Sequence, residues 1–152
     1  MRIQRTTVAL ALAAVAALVL ATRSSAQTTG DPFAPLTSTR GTPVMVPPRA
    51  LAVIPERHTD RRLRMVDVLE RIDPQFDDLA RGAGLRPERA IQLRTREANL
   101  PIFVEKSEAS VSTVLQLDLG ARIEVRGVLI ERGGRYLFLA SDVRPSSSRR
   151  RR

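Results

Sequence analysis

The 152-residue chain contains no cysteine, which removes disulfide bridges, thiolate metal sites, thiol nucleophiles and lipid anchoring through a cysteine. Histidine is nearly absent too. His58 stands alone, so zinc and haem ligation are excluded and no Ser-His-Asp order can be built. Asp73, Asp77 and Asp78 form the one acidic grouping of note. They lack an ordered ligand loop and read as the acidic start of a short helix. No metal, cofactor or catalytic residue is therefore predicted. Aromatic side chains are few: Phe33, Phe76, Phe103, Tyr136 and Phe138, with no tryptophan. That scarcity counts against single-strand nucleic-acid binding, which needs stacking platforms as well as charge. Lys106 is the sole lysine beside many arginines, a bias that a GC-rich genome accounts for.

What is present begins with an address. Arg2 and Arg5 precede an apolar run from Val8 to Ala21, and Ser24-Ser25-Ala26 puts small residues at −3 and −1 of a cut before Gln27. The run has 14 residues, whereas a helix needs about 20 to span a bilayer. Residues 1–26 are read as a cleaved signal peptide and the product as periplasmic or secreted, with no stable membrane insertion afterwards. An uncleaved anchor is the competing reading. Of the nine excess positive charges, three lie in residues 1–26 and four at Arg149–Arg152, leaving about two for everything between. The body is nearly balanced, and the excess sits on its ends.

Residues 27–49 are rich in proline and threonine and predict an extended linker, ordered only where Val44-Met45-Val46 touches the body. Residues 145–152 (PSSSRRRR) predict a disordered tail, with Arg149, Arg150, Arg151 and Arg152 as a polyanion-binding run. The folded domain is placed at 50–144. Within it, Gly133-Gly134 joins two β-rich runs and predicts a two-residue hairpin turn. That turn sets Ile130 opposite Leu137, Leu129 opposite Phe138 and Val128 opposite Leu139. A bulge or sharp coil is expected near Gly127. Residues 61–72 alternate charged and apolar positions like residues 122–129 and predict a long first strand. Residues 74–88 predict an insertion with a short helix near Asp77–Arg81, closed by Gly82 or Gly84. Ala90–Thr95 and Leu100–Glu105 predict the next strands. Residues 107–119 fit either a helix capped by Ser110 or an alternating strand, and the local pattern leaves both open.

Three stretches of the chain resemble the OB-fold superfamily of five-stranded Greek-key barrels. They are Leu51–Leu63, with its Pro55-Glu56-Arg57-His58 turn into a strand, then Leu117–Gly127, and Gly134–Leu139. The resemblance covers about residues 51–143. It implies an all-β barrel with one short helix, pairing between the first and fourth strands, and a helix at 108–118. It also implies a ligand face across the second and third strands, bounded by the loops between strands one and two and strands four and five. On this chain that face points to Arg94, Arg96 and Phe103, with Arg135 and Tyr136 at the last hairpin, as guanidinium forks and stacking rings. The resemblance implies fold, not function. One OB-fold family is a nuclease, and Arg71-Ile72-Asp73-Pro74 superficially resembles its acidic strand end. The calcium segment of the Asp-Gly-Asp-Thr type and the arginine-helix pattern that follows it are both missing here. The expectation is an exported, non-catalytic binding or scaffold domain of the cell envelope. Its partners are expected to be an envelope protein, an anionic small molecule or a glycan. Nucleic-acid binding is the alternative, and a secreted nuclease a weaker one.

Overall fold

Alternation of charged and apolar residues builds the longest strand, because period two sends every second side chain to one face of a sheet. The computed structural model describes residues 30–146. Its elements are helix α1 (Ala34–Ser38), β1 (Val44–Met45), α2 (Pro48–Val53), a 3-10 turn at Pro55–His58, β2 (Arg62–Asp73), α3 (Asp78–Gly82), β3 (Ala90–Thr95), β4 (Pro101–Glu105), α4 (Glu108–Leu115), β5 (Arg122–Arg132) and β6 (Arg135–Pro145). The sheet runs β1-β2-β3-β4-β6-β5, and β5 returns to β2 to close a five-stranded barrel. β4 and β6 are parallel; the other barrel contacts are antiparallel. This closed barrel, with a helix between its third and fourth strands, is the OB fold. The pairing of first and fourth strands is present, from Arg62 opposite Val128 to Val68 opposite Arg122.

Leu63, Met65, Leu69, Leu93, Ile102, Ile123, Val125, Leu129 and Phe138 fill the barrel, and Val114 and Leu117 close one end. Residues 108–115 are helical, which turns Val114 onto the barrel and leaves Leu115 facing solvent. The cap is Ser107 rather than Ser110. Ser107 accepts from the Ser110 N–H at 3.1 Å, and the Ser110 hydroxyl takes the Ser107 N–H at 2.8 Å, a reciprocal box. The hairpin has the expected register, with Ile130, Leu129 and Val128 opposite Leu137, Phe138 and Leu139. Gly133 and Gly134 take φ of 57° and 73°, the left-handed pair that such a turn requires. Replacing both with valine is expected to cost about 1–2 kcal/mol per site. Urea unfolding checks this, and an unchanged midpoint counts against the strain argument.

The irregularity expected near Gly127 is present there: Arg126 pairs with Asp142 and Gly127 with Ala140, so Ser141 of the facing strand β6 is the extra residue. One expectation changes: the segment expected to be a linker is anchored to the barrel at Phe33 as well as at the expected Val44–Val46. Phe33 and Val46 are buried, Pro35 sits in the first turn of α1 where its missing N–H costs nothing, and β1 pairs with the part of β2 that β3 leaves free. Arg62 ties the segment down, its Nε donating to the Thr39 carbonyl at 2.8 Å and its Nη2 to that of Leu36 at 3.0 Å. Pro145 ends β6, and the Ser146 N–H bonds to Arg122. The proposed signal peptide and Arg149–Arg152 lie outside the described residues.

Candidate ligand-binding surface

A second apolar cluster lies on the outside of the barrel, on the face where OB folds usually hold their ligand. Ala90 of β3, Phe103 of β4, Leu137 and Leu139 of β6, and Val128 and Ile130 of β5 form its floor. Phe33 from the N-terminal segment and Phe76, Ala80 and Leu85 from the insertion form its cover. Phe103 is 1% exposed and meets Phe76 edge to face, with ring centroids 5.2 Å apart at 71°. The flanking loops also meet, since Leu79 Cδ1 lies 3.3 Å from where a Cβ on Gly133 would be. The chain itself occupies this face.

The five residues expected to form one site are accordingly dispersed. Arg94 is on the outer face of β3, where its Nε donates to Asp73 Oδ2 at 3.2 Å. Gln92 and Arg71 hold the same carboxylate, at 3.1 and 2.8 Å. Arg96 is exposed in the β3–β4 turn. Phe103 is core. Arg135 is exposed at the start of β6, and Tyr136 leans on the inner cluster, on the opposite side of the sheet from Phe103. Burial and the carboxylates of Glu131 and Glu56 push the Tyr136 phenol above its ordinary value.

A different surface gathers charge. On β2, β5 and β6 the inward residues Leu63, Met65, Ile123, Val125 and Val143 leave Arg64, Glu124, Arg126 and Arg144 facing outward. Register then assembles them. Arg64, Arg126 and Asp142 form one rung across the three strands, and Val66, Glu124 and Arg144 form the next. Directly opposed arginines repel, and the Glu124 carboxylate between the rungs offsets that repulsion. Its Oε1 accepts from Arg144 Nη2 at 2.6 Å and Arg126 Nε at 2.9 Å, and its Oε2 lies 2.7 Å from Arg64 Nη2. The Glu124 side chain is 8% exposed, while the three arginines are 34–48% exposed. One shielded carboxylate thus preorients three accessible guanidiniums, and with Asp142 the two rungs carry one positive charge in excess. Beside them lies a cavity of about 210 Å³ whose wall includes Leu36, Pro43, Arg62, Arg126, Ser141 and Asp142. Sequence reasoning missed this group. The only trace was the Arg62-x-Arg64 and Glu124-x-Arg126 alternation in two strands expected to pair.

Burial alone would raise the Glu124 pKa; the guanidiniums of Arg144, Arg126 and Arg64 outweigh it and hold the carboxyl at about 2, below its ordinary 4.5. A depressed folded-state pKa means that this stabilisation is complete above about 4.5 and fades as pH falls toward about 2. Acid unfolding of Glu124→Gln is expected to lack that component of the slope. A slope identical to wild type through this window would count against the assignment.

No protein-family model matches the chain, and no curated protein matches it in sequence. Among solved structures it is similar to a replication protein A heterotrimer bound to single-stranded DNA, with 13% identity and a TM-score of 0.40 over 56% of this chain and 57% of that one. It is also similar to the Entamoeba histolytica asparaginyl-tRNA synthetase in complex with asparaginyl-adenylate, with 12% identity and a TM-score of 0.47 over 68% of this chain and 24% of that one. The chain thus spans little more than half of the first and about a quarter of the second. Nothing about a ligand follows from likeness at this level.

Proposed function

We propose that this OB-fold chain is an exported, non-catalytic binding domain of the cell envelope that takes an anionic ligand on the outer face of β2, β5 and β6. The observation that carries the reading is Glu124 ringed by Arg64, Arg126 and Arg144 on an open surface. Arginine forks suit carboxylate and phosphate groups. A guanidinium already aimed by a buried carboxylate loses less freedom when it binds. The export argument rests on the segment before Gln27. The non-catalytic reading rests on the sequence, whose single histidine leaves no Ser-His-Asp order.

The second reading is nucleic-acid binding, which OB folds commonly perform and which the four arginines of the C-terminal run, Arg149–Arg152, favour. Against it stands the self-covered β3–β4 face, where Phe103 offers no open ring. Titration of the full mature chain with a uronate polymer and with labelled single-stranded DNA separates the readings. Uronate binding that falls with added salt and weakens about tenfold in Arg64→Gln and Arg144→Gln is expected. Binding of both polymers that disappears when residues 147–152 are deleted would assign polyanion affinity to the tail. Tight DNA binding by the truncated chain would favour the second reading.

A further inference from the structure

Resting on that anion-binding reading, we infer that the cavity beside the arginines takes a hydroxylated monoanion, of the class of a sugar acid residue. Its wall presents two cations, Arg62 and Arg126, and one anion, Asp142. The net charge of one positive matches a carboxylate better than a dianionic phosphate. The Nε of Arg126 is spent on Glu124, and its terminal nitrogens make no hydrogen bond among the described residues. They are the free donors for a carboxylate. Arg62 is fixed by two backbone carbonyls and holds Leu36 and the segment beyond it over the cavity. The second half of the recognition is an acceptor set. Asp142 stands directly across from Arg126, yet its nearest cation contact is Arg144 at 4.0 Å, too long for a hydrogen bond. The Ser141 hydroxyl donates to the Arg126 carbonyl at 3.2 Å, leaving its oxygen lone pairs to accept.

A bare anion gains nothing from an aspartate on the wall. A ligand carrying hydroxyl groups gains a charge-assisted hydrogen bond from it. Leu36, Pro43 and Val128 supply the apolar side on which the C–H face of a ring can rest. At about 210 Å³ the space is smaller than the sites of drug-sized ligands and suits one ring. The Ser141 bulge makes this arrangement possible, because it puts Asp142 on the outer face two residues after inward-facing Ala140.

Calorimetry on the full mature chain with glucuronate, glucose and acetate at matched ionic strength tests the inference, with Arg126→Gln and Asp142→Ala as variants. Glucuronate is expected to bind at least about tenfold more tightly than glucose or acetate, and each variant to weaken it about tenfold. Asp142→Ala changes an exposed side chain, so it reports on binding even if Arg126→Gln disturbs the fold. Acetate and glucuronate binding equally, with Asp142→Ala leaving both unchanged or tighter, would overturn the sugar inference and leave the anion reading standing. If neither these anions nor the uronate polymer bind, both fall.

Discussion

Gly127→Ala is expected to unfold the domain or bring it to the edge of unfolding. A Cβ at this position would lie 1.9 Å from the Leu139 carbonyl oxygen and 2.7 Å from Phe138 Cε1. The ring could turn aside, but the carbonyl belongs to the central ladder between β5 and β6, where Gly127 pairs with Ala140 beside the bulge. Relief requires the two strands to separate at the point where β5 also holds β2. The cost is expected to be on the order of 3 kcal/mol or more, against a total stability of about 5–15 kcal/mol for an ordinary domain. With no disulfide to hold the chain, loss of native far-UV signal at ordinary temperature is the expected readout. An alanine variant with an unchanged urea midpoint would show that the strands do not approach this closely.

Phe103→Ala should cost about 3–5 kcal/mol, the ordinary range for deleting a buried phenylalanine. The ring is part of the floor of the outer cluster and lies under the cover through its edge-to-face contact with Phe76. Its removal leaves a cavity that the covering segments can only partly collapse into. Phe76→Ala should behave similarly, and the double variant should fall short of the sum by about 0.5–1.5 kcal/mol through the lost edge-to-face contact. The measurement is a double-mutant cycle by urea denaturation. It also decides between two roles for Phe103. A ring that stacks ligand would leave stability nearly unchanged and lower binding, whereas a core ring loses stability first.

Much of the barrel was legible in the sequence because its strands announce themselves locally. Strict alternation over residues 62–69 and 122–129, with Gly133-Gly134 between two β-rich runs, specifies strands and one register without distant partners. The helix-or-strand ambiguity of residues 107–119 was different in kind. Both periodicities fit locally, and the choice shows only in the fold, where the helix packs Val114 and Leu117 against the barrel. The bulge was legible at Gly127, but that Ser141 of the facing strand carries the extra residue was not, since Ser141 has no distinctive local signature.

By itself, the sequence determined that the described domain is held without disulfides and where most of its strands and the last hairpin turn lie. Each follows from residue inventory or from patterns a few residues long. The tertiary structure decided which surface is free. Phe33 in a proline-rich stretch and Phe76 in an acidic one look like isolated apolar residues, and only the folded barrel gives them a shared floor. Glu124 and its arginines are likewise scattered over three strands, and only register across β2, β5 and β6 makes them neighbours. Covering a face and converging charges are both long-range outcomes, set by where strands from distant parts of the chain meet rather than by any local preference.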